Sequence, residues 1–183
     1  MLFEQVKIGR LRLKNRIVRS ATFDGGADRS GHVTDWQVKL FESLARGGVG
    51  LIVSGLASVH PTGRISTFQN IVSDDAAIEG LRRLVDVTHA NDTRIALQIA
   101  HCGRQTWSEQ TGRSLLAPSA VPCGFYRERP GEMTHDDIEM VIDEFGDAAR
   151  RAREAGYDGI QIHAAHGFLL SQFLSPAFNR RDD

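Results

Sequence analysis

The sequence contains only two cysteines, and it has no apolar run long enough to span a bilayer. Cys102 and Cys123 lack the Cys-x-x-Cys spacing, so we expect neither a disulfide framework nor a cysteine-based zinc site. The formal net charge of -1 provides no electrostatic attraction to nucleic acid or to an anionic membrane. The amino terminus also lacks the basic and apolar sections of a signal peptide. We therefore predict a cytoplasmic protein that binds neither nucleic acid nor a membrane.

What the sequence does contain is a regular alternation of short apolar strands and amphipathic helices. The composition of its 183 residues, 41% hydrophobic and 25% charged, is typical of one globular domain. Thr34 and Thr134 have the sequence signature of helix N-caps, and Gly156 that of a helix end. This alternation predicts a parallel α/β fold whose strands cover residues 17–20, 49–53, 94–99 and 159–162.

Three features favour a (β/α)8 TIM barrel over an open doubly wound sheet. The loop after the first strand has no Gly-x-Gly-x-x-Gly fingerprint, which a dinucleotide-binding fold would have there. A predicted β-hairpin over residues 6–13 is suitably placed to close the bottom of a barrel. Polar residues follow strands one, three and four, where barrel enzymes place their catalytic groups. A complete barrel takes roughly 250 residues, so we expect the first four βα units, a half-barrel with unpaired first and fourth strands.

Two histidines, His163 and His166, directly follow the fourth strand. Parallel α/β proteins present their chemistry at such carboxyl ends of strands. A metal site is one interpretation, but no nearby Cys, Asp or Glu supplies a third ligand. Core histidines with satisfied hydrogen bonds are another.

Five stretches of the chain together resemble a known family, in the order in which that family has them. They cover residues 13–22, 48–55, 97–104, 117–122 and 163–182. With these motifs the chain resembles the amino-terminal half of the old yellow enzyme family, the FMN-dependent NADH:flavin oxidoreductases and ene-reductases. The resemblance implies that residues 1–183 form the amino-terminal half of a single FMN-binding TIM-barrel domain.

The resemblance also implies a role for particular residues. Ser20, Ala21 and Thr22 would contact the flavin ring through their backbone, as would Gly55 and Leu56. Gln98 would hydrogen-bond to the pyrimidine edge of the ring, where an amide can both donate and accept. His163 and His166 would be catalytic, donating hydrogen bonds to the carbonyl or nitro oxygen of an electron-poor alkene. NAD(P)H would be the reductant, and hydride would pass through the flavin to the alkene.

The chain departs from the family pattern at two positions. Phe168 stands where many members have a tyrosine that donates a proton to the substrate, and a phenylalanine cannot do so. Phe23 stands where related enzymes often have Thr or Cys near the flavin. The phosphate-binding loops of such barrels also follow later strands than those present here. A second hypothesis is therefore a non-catalytic fragment or assembly module that cannot hold flavin alone, with a missing barrel half or a homo-oligomer partner.

Several residues near the strand ends have two plausible roles. His101 and Arg104 either line the site or hold the long segment 103–133. We expect His60 and Arg64 to be solvated. We expect Trp36 and Trp107 to pack in the core or against loops.

Overall fold

The structure is a computed structural model that describes residues 1–183. Its elements, in chain order, are β1 (Val6–Ile8), β2 (Leu11–Leu13), β3 (Val18–Arg19), α1 (Asp35–Arg46), β4 (Leu51–Ser58), α2 (Ala77–His89), β5 (Arg94–Ala100), α3 (Ser108–Thr111), β6 (Leu116–Ala117), β7 (Gly131–Glu132), α4 (His135–Ala155), β8 (Gly159–Ile162) and α5 (Leu169–Phe173). None of these helices is both long and apolar enough to cross a lipid bilayer.

The centre of the fold is a four-stranded parallel sheet in the order β3-β4-β5-β8. The four strands lie at the predicted places, although β4 extends to Ser58, five residues beyond the predicted end. Consecutive strands of the sheet are connected by helices, which is the connection that parallel strands require. The predicted parallel α/β architecture is confirmed.

Residue patterns at the helix ends explain where the long helices begin and stop. Thr34 and Thr134 each accept a hydrogen bond from the backbone of the third helical residue, and the side chains of Gln37 and Asp137 complete the two capping boxes. Gly156 ends α4 with φ 98°, a left-handed conformation that favours glycine. Both predicted N-caps and the predicted end of α4 are confirmed.

Apolar side chains cover both faces of the sheet. On one face, α1, α2 and α4 bury a core of 18 residues that includes Phe41, Leu81, Ile95 and Leu97. On the other face a smaller cluster, Leu13, Leu51 and Val53, packs against side chains of the β1–β2 hairpin and against Ala21 and Ala96. The hairpin therefore covers part of the face of the sheet that the helices leave open, and its role in closing the bottom of a barrel stays a prediction.

The periphery of the fold contains a few short elements and one partly exposed tryptophan. The long segment 103–133 contains α3 and the short parallel pair β6–β7. Trp36 is 54% exposed, but its ring packs against Gly26 in the loop after β3, where a Cβ atom would overlap it. The expectation of packing in the core or against a loop is therefore confirmed for the loop, while α1 buries the stripe around Phe41 and Ala45 in the core.

The sheet has two open edges and does not close into a barrel. β3 pairs only with β4, and β8 pairs only with β5. Ile162, in the edge strand β8, is 59% exposed. Beside this edge α4 and α5 enclose an apolar groove of about 410 Å³, lined by Met133, Ile138, Val141, Ile142, Phe145, Ala164, Leu169, Leu170, Phe173 and Leu174. An edge and a groove of this kind are attachment surfaces for further polypeptide.

We predict that charges in this groove reduce self-association of the isolated chain. The double substitution Ile142→Lys and Leu174→Lys should lower the fluorescence of an apolar-surface dye and shift sedimentation toward the monomer. The free energy of unfolding should change by no more than about 0.5 kcal/mol, since both side chains are exposed. Ile8→Lys, on the distant hairpin, is the matched control and should leave both signals unchanged. A wild-type chain that is monomeric and binds no dye would contradict this expectation.

Candidate active site

The carboxyl ends of the four parallel strands lie together at one end of the sheet, as parallel pairing requires. Residues 20–22 follow β3, Gly55 and Leu56 lie in β4, Gln98 lies in β5, and His163 follows β8. The backbone N–H of His163 donates to the Ile99 carbonyl at 3.0 Å, which continues the β5–β8 ladder. The residues predicted to bind the cofactor thus lie on four adjacent chain segments.

A β-bulge in β4 shapes the middle of this end of the sheet. Ser54 pairs with Leu97 and Ala57 pairs with Ile99, so Gly55 and Leu56 together lie opposite the single residue Gln98. Bulges of this kind re-aim backbone groups and are common beside active sites. The bulge therefore places the backbone of the two predicted β4 residues next to the predicted glutamine.

The exit of β3 presents unpaired backbone donors. The N–H groups of Ser20, Ala21 and Thr22 donate no hydrogen bond within the chain, and Ser20 and Thr22 are exposed. This segment lies directly on β4, because a Cβ atom at Gly55 would overlap the Thr22 carbonyl oxygen. The absence of a side chain at Gly55 thus lets two segments that are predicted to contact the cofactor approach each other closely.

Gln98 has a partner that the sequence analysis did not identify. Its Nε2 donates to Oε1 of Gln161 across the β5–β8 pair at 2.7 Å, and the two residues are in register. This bond leaves the carbonyl of Gln98 and the amide nitrogen of Gln161 free. The pair therefore presents an acceptor and a donor side by side to a ligand with a polar edge. The alternation of apolar and polar residues in Ile160-Gln161-Ile162 was the one sequence signal for Gln161.

The two histidines form a directional hydrogen-bonded pair. The N–H of Ala165 donates to Nδ1 of His163 at 3.2 Å, so the neutral ring carries its proton on Nε2. That nitrogen lies 2.9 Å from Nδ1 of His166 and donates to it. His166 in turn carries its proton on Nε2, which has no partner in the chain. The one N–H of His163 is therefore used within the pair, while that of His166 is free for a ligand.

The surroundings of His163 favour its neutral form. Its ring is buried and packs against the ring of Phe168, with the centroids 4.7 Å apart. Burial lowers the pKa of His163, and the neighbouring His166 lowers it further. No group of three or more His, Cys, Asp or Glu side chains is arranged to hold a metal ion. In this arrangement His163 donates within the pair, and the N–H of His166 is left to donate to a ligand.

A second imidazole network lies under the loop that follows β4. The N–H of Gly103 donates to Nδ1 of the buried His101 at 3.1 Å, and Nε2 of His101 lies 2.9 Å from Oγ1 of Thr62. Oγ1 of Thr62 lies 2.7 Å from Nδ1 of His60. The expectation that His60 is solvated is therefore wrong, because it ends this chain of bonds. The network joins the loop after β4 to the loop after β5.

Arg104 also holds a loop in place and does not line the site. Its guanidinium donates to the carbonyls of Val121 and Pro122 at 3.0 and 2.9 Å and lies 3.6 Å from the centre of the Phe178 ring. Arg64 is likewise not free in solvent, because it donates to the carbonyls of Arg29 and Thr67. Four residues left undecided or assigned to solvent thus stabilise the loops around the site.

Comparisons of the whole sequence agree with the fold. The sequence profile of the NADH:flavin oxidoreductase / NADH oxidase family matches residues 1–183. The chain belongs to this family. The resemblance inferred from the five motifs is therefore confirmed.

Individual members of the family match the chain along its whole length. An NADPH dehydrogenase of Geobacillus thermodenitrificans is 43% identical over 184 residues, and the chain spans 53% of that protein. An NADH oxidase of Thermoanaerobacter brockii is 41% identical over 184 residues, and the chain spans 28% of it. The structure of an old yellow enzyme homologue from Zymomonas mobilis has a TM-score of 0.91 at 28% identity, with 53% of its chain covered.

These matches account for the open sheet. Old yellow enzymes are TIM barrels, and this chain corresponds to about half of one. The strands β3, β4, β5 and β8 are therefore the four strands of a half-barrel. The chain spans about half the length of the NADPH dehydrogenases that it matches.

We predict that the buried network of His101, Thr62 and His60 makes the free energy of unfolding depend on pH. Burial, and then the nearby His60, lowers the pKa of His101 to about 3, while burial and then the charge of Arg113 lower the pKa of His60. In the unfolded chain His101 and His60 each bind a proton near pH 6.5, whereas in the folded chain they do not. Their contribution is therefore complete above pH 6.5 and is lost as the pH falls from 6.5 toward 3.

This dependence is measured by urea unfolding at a series of pH values. Each proton taken up on unfolding contributes a slope of about 1.4 kcal/mol per pH unit to the free energy of unfolding. His101→Gln should therefore reduce this slope below pH 6.5 by about the contribution of one proton. His32→Gln, an exposed histidine on a loop, is the control and should leave it unchanged. Equal slopes for wild type and His101→Gln would show that His101 is not held neutral by the fold.

Proposed function

We propose that residues 1–183 form the amino-terminal half of a single FMN-binding barrel domain of an NAD(P)H-dependent oxidoreductase. Its acceptor is a small molecule with an electron-poor, α,β-unsaturated double bond. Family membership and the names of the relatives, NADPH dehydrogenase and NADH oxidase, support the reductant and the cofactor. The observation that carries the proposal is that the residues predicted to contact flavin and a histidine donor converge at one end of the sheet. Two free cysteines are consistent with our prediction of a cytoplasmic location.

The residues at the strand ends fit an isoalloxazine ring. A flat ring with a polar edge requires backbone donors, an amide and little side-chain bulk. The unpaired N–H groups of residues 20–22, the Gly55–Leu56 bulge and the amide of Gln98 meet this requirement. FMN, when bound, supplies a two-electron carrier that can take hydride from NAD(P)H and pass it to an alkene.

The chain's own histidines orient and polarise the acceptor. His166 donates its free Nε2–H to the acceptor's oxygen and stabilises the negative charge that develops there. His163 fixes the ring of His166, because its own Nε2–H donates to Nδ1 of that ring. The hydrogen bond from the Ala165 N–H to Nδ1 keeps His163 in the required tautomer.

The proton that completes alkene reduction has to come from a group other than residue 168. Phe168 has no ionisable group, and its buried ring packs on His163. We propose that water reaching the open edge beside the exposed His166 supplies this proton. A positioned donor is typically worth roughly 10²–10⁴-fold, so we expect alkene reduction to be the slow half of the reaction.

The open sheet supports a second candidate, an assembly module that does not hold flavin by itself. The unpaired β3 and β8 and the exposed Ile162 require a partner to cover them. The partner is the second half of a barrel or another copy of the chain. In TIM barrels the phosphate site follows strands seven and eight, so this half is expected to contact only the ring of the cofactor.

A complementation experiment tests the proposed function. The chain is co-expressed with the carboxyl-terminal half of the Geobacillus thermodenitrificans NADPH dehydrogenase, whose first half it resembles at 43% identity. The expected product is a yellow complex that retains FMN through gel filtration and oxidises NADPH when an α,β-unsaturated ketone is present. A complex that forms but stays colourless with added FMN would refute the flavin proposal and favour the assembly module.

His166→Ala in this complex should separate binding from catalysis. We expect the reoxidation of the reduced flavin by the ketone to slow by about 10²–10³-fold, because one donor to the developing charge is lost. The absorption of bound FMN and its reduction by NADPH should remain unchanged. His135→Ala, an exposed residue at the start of α4, is the control. Equal slowing of both half-reactions would contradict the assigned role.

Phe168→Tyr should accelerate the same step. The substitution adds a hydroxyl group next to His163 and supplies the proton donor that this chain lacks. A gain of about tenfold or more is expected in the rate of alkene reduction under rapid mixing, within the range of general acid catalysis. An unchanged rate would show that proton transfer does not limit the step.

A further inference from the structure

The chain turns sharply at His166 and Gly167, between β8 and α5. Both residues have positive φ angles, 56° and 69°. Glycine adopts this conformation readily, but a residue with a Cβ atom does so at a steric cost. His166 is the one non-glycine residue of this kind in the candidate site. Contacts outside the turn therefore have to hold it there.

Two glutamine side chains supply those contacts. Nε2 of Gln105 donates to the carbonyl of His166 at 2.6 Å, and Nε2 of Gln172 donates to the carbonyl of Gly167 at 2.7 Å. Gln105 also packs directly on the turn, since a Cβ atom at Gly167 would overlap its amide nitrogen. Successive carbonyls of the turn are thus each held by an amide.

The two glutamines differ in what else they stabilise. Gln172 is fully buried, donates to the Cys102 carbonyl and accepts from the N–H of Arg104, so it also joins α5 to the loop after β5. Gln105 is only half-buried, and its single side-chain hydrogen bond is the one to His166. Removing the amide of Gln105 should therefore affect the turn and little else.

We propose that Gln105 is a positioning residue for His166. From the loop after β5 it holds the left-handed conformation of the turn after β8, and with it the place of the His166 ring against His163. In this position Nδ1 of His166 receives the proton of His163, and Nε2–H is directed away from the pair. The catalytic meaning of Gln105 rests on the proposed function, whereas its effect on the imidazoles does not.

The test is nitrogen-15 NMR of the histidine rings in the 183-residue chain, with Gln105→Met as the variant. Methionine has a similar length but no donor. The ring nitrogens of His166 should shift toward the average of the two tautomers. The Nε2 proton of His163 should exchange with water about tenfold faster, because its acceptor is no longer held in place. Gln110→Met is the matched control, since Gln110 lies in the same segment and bonds to Thr67 instead.

Histidine signals in Gln105→Met that coincide with those of wild type and of Gln110→Met would overturn the proposal. Should Gln105→Met fail to fold, the wild-type chain decides. Its Gln105 side-chain amide protons should show nuclear Overhauser effects to the backbone of residues 166 and 167, and their absence would overturn the proposal. The measurement requires neither flavin nor acceptor, so it remains decisive even if the complementation experiment fails.

Discussion

The parallel pairing of β5 with β8 is the constraint on which the rest of the site depends. Its register places Gln98 opposite Gln161 and continues through the bond from the His163 amide to the Ile99 carbonyl. A slip of one residue would turn Gln161 toward the helices and Ile162 toward the open face. The core on the helix side, including Leu97, Ile99 and Ile160, opposes such a slip. Burial of apolar side chains on one face thus fixes the polar residues on the other.

The loops after β4, β5 and β8 are fastened to one another by polar side chains. The His101 network connects the first two, and the glutamine contacts connect the last two. Hydrogen bonds are specific in direction, because each donor requires an acceptor at a particular place. The candidate site is therefore surrounded by a connected set of loops, although each loop follows a different strand.

The faces of the sheet are at least partly covered, but its two edge strands are not. Helices cover one face and the hairpin covers part of the other, so the apolar core is complete where the chain provides cover. The edges of β3 and β8 have no cover within residues 1–183. Closure into a barrel would pair the backbone groups of both edge strands, since a barrel has no edge strands. The site lies at the rim of this half-barrel and opens toward the uncovered side.

The sequence alone was sufficient for features that depend on neighbours along the chain. Capping residues and the alternation of apolar strands with amphipathic helices predicted the elements. The five motifs predicted the family and the strand ends that carry the candidate site. Contacts across long sequence separations had no such signal. The bond from Gln98 to Gln161, the chain from His101 to His60 and the contact of Gln105 with His166 join residues that are 41 to 63 positions apart. Only the tertiary structure decided these contacts, because the register of the strands and the paths of the loops determine which polar groups meet.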